Sequence, residues 1–307
     1  MKHLVTGGSG YFGALLRDRL VKLRQPVRVF DLADARDRPA DVEFTQGDVR
    51  DSAALARACA DCDIVYHCVA QVPLAKDRAL FESVNITGTE NLLRAAKAAG
   101  MRKVVYVSSS AVYGAPKANP VNEQTPPSPA EAYGAAKLAG ERLCQRFAQD
   151  GLDVTIIRPR TIMGHGRLGI FQILFEWIRT GYNVPVFGRG DNVYQFVHAD
   201  DLADACLAAA ARPGPTSYNC GTDRYGTMRA VLEQLCAHAQ TGSRVRSVPL
   251  GPTAALLKVA NTVGLSPLGP YHALMYGRSL YFDIAKARTE LGWKPQYSNE
   301  EMFVQSY

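Results

Sequence analysis

The chain has 307 residues, 47% of them apolar and 21% charged, enough to bury a full core without disulfide or metal staples. Its formal net charge of +6 comes from scattered Lys and Arg with no long block of like charge, which argues against a dedicated nucleic-acid surface. No apolar run reaches the roughly 18 residues of a membrane span; the nearest, Thr253 to Leu265, is broken by Lys258 and Asn261 and reads as an amphipathic helix.

His3 to Thr6 predicts a strand, followed by a glycine-rich turn and a helix to about Leu23. This direct entry into the fold, together with seven cysteines, predicts free thiols in a reducing cytoplasm. Further strands are expected at Val27–Asp31, Val42–Thr45, Ile64–His67, Val104–Val107 and Val154–Ile157. Helices at Ser52–Ala60, Leu80–Ala99 and Ala132–Gln149 fill the gaps. Cys59-Ala60-Asp61-Cys62 has no second pair at zinc spacing and reads as a helix end and its turn, so no metal site is expected. Strands alternating with helices imply an α/β fold with a parallel sheet buried on both faces. The glycine loop after the first strand makes it a doubly wound Rossmann sheet.

Beyond Arg158-Pro159 this regularity fades and Pro and Gly become dense, from Pro185 to Pro215. Helical patches at Leu168–Thr180, Asp200–Ala211, Thr227–Gln240, Ala254–Val263 and Ile284–Leu291 predict a smaller, mostly helical region. The expected division is residues 1–164 for the cofactor and 165–307 for the substrate, with about 194–220 returning to the first domain.

Gly7, Gly10 and Gly13 carry the cofactor signal, with Tyr11 and Phe12 opening the helix. The first permits a tight turn, the second lets backbone approach a pyrophosphate, and the third lets helix pack on strand. Asp31 ends the second strand and can hold both adenosine ribose hydroxyls while repelling a 2′-phosphate, so NAD is expected rather than NADP. Arg36 is the one feature weighing the other way. Asp48-Val49 reads either as an adenine contact or as the approach to a helix N-cap.

Tyr133 and Lys137, four apart, share a helix face. An ammonium beside a phenol stabilises the phenolate, so the tyrosine can exchange a proton with a substrate hydroxyl. Ser108-Ser109-Ser110 stand at the carboxyl end of the strand Val104–Val107, where open α/β sheets bind ligands. These pieces, with Tyr66 to Ala70, Val84-Asn85, Val107 to Gly114, Arg158-Pro159, Phe196 to Leu202, Tyr218 to Gly221 and Leu291 to Pro295, resemble the extended short-chain dehydrogenase/reductase family over nearly the whole chain. The resemblance implies that Tyr133 is the general acid/base, Lys137 its electrostatic partner and Ser109 the substrate-facing hydroxyl. It also implies NAD contacts from Val69, Ala70, Val107, Arg158 and Pro159. Asn85 resembles the asparagine that supports the nicotinamide, or else caps or kinks its helix.

Family members that carry out 4,6-dehydration place an acidic pair where Ser110 and Ala111 stand, so dehydration is not expected, nor is decarboxylation. Simple 4-epimerisation or alcohol/ketone interconversion needs only Ser109, Tyr133 and Lys137. Nucleotide-sugar relatives usually carry Asn near Thr161 and Arg at Tyr194. Arg158, Arg160, Arg167, Arg189 and Arg278 are the cations available to replace them at a diphosphate. Substrate contacts are therefore expected from Ser110, Thr161, Arg167, Tyr194 and Arg278, and from His165 unless it is a plain turn residue. Pro249 to Tyr276 resembles the apolar lid of 3β-hydroxysteroid dehydrogenases, or else packs as core or as a dimer face. The expected function is a nucleotide-sugar 4-epimerase or ketoreductase. The alternative is a lipid-alcohol dehydrogenase. The resemblance further implies a homodimer through the helices Leu80–Ala99 and Ala132–Gln149.

Overall fold

The computed structural model describes residues 1–71, 78–166, 171–249 and 277–307. Seven parallel strands form one sheet: β1 (His3–Thr6), β2 (Val27–Asp31), β3 (Glu43–Gln46), β4 (Ile64–His67), β5 (Lys103–Val107), β6 (Val154–Pro159) and β11 (Thr216–Cys220). Their order is β11-β6-β5-β4-β1-β2-β3. The winding reverses between β1 and β4, and such a switch point opens a crevice at the carboxyl ends of the strands.

The strand residues alternate between two cores, because successive side chains point to opposite faces. Val5, Tyr66 and Val105 belong to one buried cluster, and their neighbours Leu4, Val65 and Val104 to the other. Helices cover both faces: α1 (Tyr11–Lys22), α2 (Ser52–Cys59), α4 (Gly88–Ala98), α5 (Ala132–Gln149) and α7 (Ala199–Ala211) among them. Side-chain caps fix several starts. Asp51 accepts from Ala53 N and Ala54 N at 2.9 and 3.1 Å to start α2. Glu131 accepts from Tyr133 N and Gly134 N at 2.8 and 2.7 Å to start α5.

The sequence suggests one regular helix over Leu80–Ala99, and the structure corrects this. A short α3 (Arg78–Leu80) runs into a π-helical turn at Phe81–Thr87 before α4 begins. The wider turn brings Asn85 inward, where its amide bonds both backbone groups of Gln71. Such π-turns gather at functional sites.

The region after residue 164 carries the expected helices, with short strands between them. Its described part holds α6 (Gln172–Arg179), α8 (Met228–Ala239), α9 (Ala285–Leu291) and α10 (Asn299–Ser306), but also several short strands. Parallel pairs join β8 (Val184–Phe187) to β13 (Val245–Val248) and β10 (Phe196–His198) to β7 (Thr161–Met163). β9 (Val193–Tyr194) and β12 (Gly226–Thr227) pair antiparallel. Strands of two to four residues with partners far along the chain leave almost no periodic signal. The expected helix Ala254–Val263 and the segment Pro249–Tyr276, apart from Pro249, lie outside the described residues.

Candidate active site

The loop between β1 and α1 is shaped by backbone approach. Gly7 has φ +74°, and a Cβ there would lie 3.0 Å from Val69 N, so the loop rests directly on the Cys68–Gln71 segment after β4. A Cβ on Gly13 would collide with Gly7 O, so only glycine lets α1 begin this close to the turn. Gly10 N donates to Gly7 O at 3.1 Å and Gly10 O accepts from Ala14 N at 2.8 Å, carrying the turn into the helix. Tyr11 and Phe12 form its first turn. Asp31 accepts from Ser9 N at 3.0 Å, which sets its carboxylate beside the loop at the end of β2. A glycine-floored turn, a helix N-terminus and a carboxylate at one strand end fit the pyrophosphate and ribose of a dinucleotide.

Other residues named from sequence fall into two groups. Val69, Ala70, Asn85 and Val107 gather at the carboxyl ends of β4 and β5, with Asn85 stapled to the Gln71 backbone at 2.7 and 3.0 Å. Asp48, Arg158 and Pro159 have partners within the protein. The Arg50 guanidinium clasps the Asp48 carboxylate and holds it below the usual range. Val49 is buried against Gly88. Arg158 is buried, with Nε and Nη2 on Glu141 at 2.9 and 2.7 Å and Nη1 donating to Tyr113 Oη at 2.7 Å. Pro159 ends β6 in register with Cys220. In this arrangement the Arg158 guanidinium is buried and held by Glu141 and Tyr113.

Ser109, Tyr133 and Lys137 come from two elements that meet closely. Ser109 caps the 3₁₀ turn Ser110–Tyr113, its Oγ accepting from Ala111 N at 3.1 Å. Tyr133 and Lys137 project from the first turns of α5. A Cβ on Gly134 would lie 2.5 Å from Ala111 O, so the glycine after Tyr133 seats α5 on the turn that carries Ser109. Tyr133 packs edge-on against Phe81 of the π-turn, with ring centroids 6.4 Å apart. Lys137 is buried, its Nζ donating to Val107 O at 2.7 Å and lying 5.0 Å from the Tyr106 ring centroid. Loss of hydration pushes its pKa down to about 8, against the pull of Cys68, Cys144 and Glu141. His67 is also buried, bridging Thr6 Oγ1 at 2.7 Å and Thr89 Oγ1 at 3.2 Å. Burial, reinforced by the Lys137 charge, lowers its pKa to about 3, so it stays neutral.

Glu141 escaped the sequence reading, although Tyr133, Lys137 and Glu141 are spaced i, i+4, i+8 along one helical face. It accepts from Ser108 Oγ at 2.5 Å and from Arg158, tying α5 to the ends of β5 and β6.

The expected substrate residues separate. Ser110, Thr161 and Tyr194 form one cluster around the buried Arg160. Arg160 Nη1 donates to Ser110 Oγ at 2.9 Å, its Nε donates to Gln195 O at 3.1 Å, and Thr161 Oγ1 lies 3.2 Å from Tyr194 Oη. His165 stands apart, lining a groove of about 490 Å³ with Ser9, Gly10 and Tyr11, its ring edge-on to His198. That places it at the cofactor loop, away from the Arg160 cluster. Arg278 is exposed, its carbonyl accepting from Asn192 at 3.5 Å. Arg167 lies outside the described residues.

Comparison with known proteins agrees with this geometry. The family model for the NAD dependent epimerase/dehydratase family matches residues 3–221. A UDP-glucose 4-epimerase of Mycolicibacterium smegmatis is 30% identical over 98% of this chain and 96% of its own length. A 3 beta-hydroxysteroid dehydrogenase/Delta 5-->4-isomerase of Mycobacterium tuberculosis is 31% identical over 98% of this chain and 88% of its own. The structure of a Thermus thermophilus UDP-glucose 4-epimerase in complex with NAD aligns with TM-score 0.79 and 27% identity, covering 100% of this chain and 97% of that one. With its glycine loop, Asp31 and seven-stranded parallel sheet, the chain belongs to the NAD-dependent epimerase/dehydratase family, and NAD is its cofactor.

Proposed function

We propose that the protein is a nucleotide-sugar 4-epimerase or ketoreductase working through Ser109, Tyr133 and Lys137. The observation that carries this reading is the seating of α5 on the Ser110–Tyr113 turn through Gly134, which draws the hydroxyl, phenol and ammonium to one end of β5. Similarity over nearly the full length of a UDP-glucose 4-epimerase supports the substrate class.

Bound NAD supplies a two-electron acceptor for the carbinol hydrogen. Ser109 Oγ bonds the carbinol oxygen and orients it. Tyr133 takes the hydroxyl proton as the C–H electron pair departs, and returns it when the ketone is reduced from either face. Lys137 holds positive charge beneath the phenol and steadies its anion. Ala111 and the Arg160-bound Ser110 offer no second acid or base, which disfavours 4,6-dehydration and decarboxylation. The reading includes residues 1–164 as the NAD domain, 165–307 as the substrate region, a cytoplasmic setting and a homodimer through α4 and α5.

The test is an incubation of protein and NAD with nucleotide hexoses and 3β-hydroxysteroids, following reduced nicotinamide and products together. Sugar interconversion without accumulating NADH is the expected outcome. The second reading is a lipid-alcohol dehydrogenase, favoured by the 31% identity to a 3 beta-hydroxysteroid dehydrogenase. Under that reading NADH grows in step with a steroid ketone and the sugars stay unchanged.

A further inference from the structure

A buried chain of polar side chains crosses the core at the carboxyl ends of β1 and β4. Thr6 ends β1 and His67 ends β4, and the two stand opposite each other in register. Thr6 Oγ1 lies 2.7 Å from His67 Nδ1, and His67 Nε2 lies 3.2 Å from Thr89 Oγ1 on α4. The Thr89 hydroxyl donates to Asn85 O at 2.8 Å, and the Asn85 amide holds both backbone groups of Gln71. All four side chains are buried. Two residues earlier on the same strand faces stand Leu4 and Val65, which pack with Leu92 in an apolar cluster.

The direction of these bonds follows from counting protons. Thr89 spends its one hydroxyl proton on Asn85 O, so towards His67 it accepts. The proton of the neutral imidazole therefore sits on Nε2, and Nδ1 accepts from the Thr6 hydroxyl. Packing alone would not call for such a chain, because apolar side chains of the same shape fill a core at little cost. A fully satisfied polar chain instead fixes one arrangement of the elements it joins. Here it joins the end of β1, which enters the glycine turn, to the π-turn whose Phe81 meets Tyr133. α5 closes on the same spot, since a Cβ on Gly140 would lie 3.6 Å from Asn85 O.

Strand order says which half of NAD this chain serves. With the diphosphate at the start of α1 and the adenosine beside Asp31 of β2, the nicotinamide half extends to the other side of β1. It then lies over the ends of β4 and β5, where Gln71 and Asn85 stand. We propose that His67 is a positioning residue: through Thr89 and Asn85 it sets the Gln71 segment in register with the glycine turn, so that the two halves of the dinucleotide are seated together. The proposal rests on the placement of NAD and needs no choice between sugar and steroid.

The test separates placement from folding. The nucleotide-free full chain is titrated calorimetrically with NAD and with ADP-ribose, which lacks the nicotinamide. Thr89→Val keeps the side-chain volume and removes the hydroxyl that links His67 to Asn85. It is expected to weaken NAD about three- to tenfold, the worth of one buried hydrogen bond, and to leave ADP-ribose within about twofold of wild type. Thr89→Ser restores the hydroxyl and should restore the NAD affinity. Equal weakening of both ligands, or of neither, overturns the proposal and leaves the chain a matter of packing. So does a Thr89→Ser protein as weak for NAD as Thr89→Val. Where Thr89→Val does not fold, nitrogen NMR of the wild-type histidines decides, with His67 identified by its absence from the His67→Gln spectrum. An Nε2–H tautomer whose signals move with NAD and not with ADP-ribose sustains the proposal. An Nδ1–H tautomer, equal movement with both ligands, or none, overturns it. Neither measurement contains a substrate, so failure of the 4-epimerase reading leaves both outcomes standing.

Discussion

The two ends of this active-site crevice are built by different means. On the cofactor side, backbone meets backbone: Gly7 on the segment after β4, Gly13 on Gly7, Gly134 on Ala111. Such approaches permit no side chain and leave little freedom in the placement of Asp31, Tyr133 and Lys137. Beyond β6, side chains meet side chains around Arg160, whose Nη2 has no partner among the described residues. Chemistry common to many substrates is held by the part that tolerates no substitution.

Breaking the cofactor side should have the largest effects. Tyr133→Phe removes the proton-exchanging hydroxyl and keeps the ring against Phe81. Turnover is expected to fall by about 10²–10⁴-fold, the usual worth of a positioned acid/base. NAD binding, followed by calorimetry, should stay within a few-fold of wild type. Unchanged turnover would remove Tyr133 from the mechanism.

Glu141→Gln attacks the support beneath that set. It leaves Arg158 buried against a neutral partner and takes one acceptor from Ser108. Breaking a buried pair this way costs about 3–5 kcal/mol, read from urea denaturation. A loss under about 1 kcal/mol, the range of solvated pairs, would show that water enters freely between β6 and α5. Gly134→Ala should be milder in stability and sharper in function. Its methyl would press on Ala111 O and lift the first turn of α5 from the Ser109 turn. The expected result is kcat reduced at least about tenfold, since small misplacements are costly at a reacting centre, with the KM for NAD little changed.

The same contrast explains what the sequence could reveal. The Rossmann half was legible because its strands are short, apolar and evenly spaced, and because glycines mark each close approach. The range Ala132–Gln149 was read to the residue, since Glu131 caps it and Asp150 ends it. The π-turn at Phe81–Thr87 was not legible: only the tertiary bond from Asn85 to Gln71 reveals that the helix widens there. Arg158 reads as a ligand contact in the motif, and the fold also makes it the partner of Glu141. Deciding between a catalytic and a structural arginine needs the location of the nearest carboxylate, which lies seventeen residues away in sequence.

The smallest expected effect is a pH dependence, and it tests whether Lys137 is as dry as its position implies. Burial lowers its pKa from 10.5 in the unfolded chain to about 8 in the fold. Below pH 8 both states carry the proton and the folded protein bears the full penalty of a desolvated ammonium. Between about pH 8 and 10.5 the unfolded chain holds more protons, so this group's contribution to stability rises with pH. Activity should move the other way, because the neutral amine no longer supports the tyrosine anion. The ratio kcat/KM is expected to fall along an alkaline limb with an apparent pKa near 8. Lys137→Met should remove both the limb and the stability gain. A limb above about pH 10 in the wild type, the range of a solvated lysine, would mean that Nζ is hydrated, and that Val107 O shares it with water.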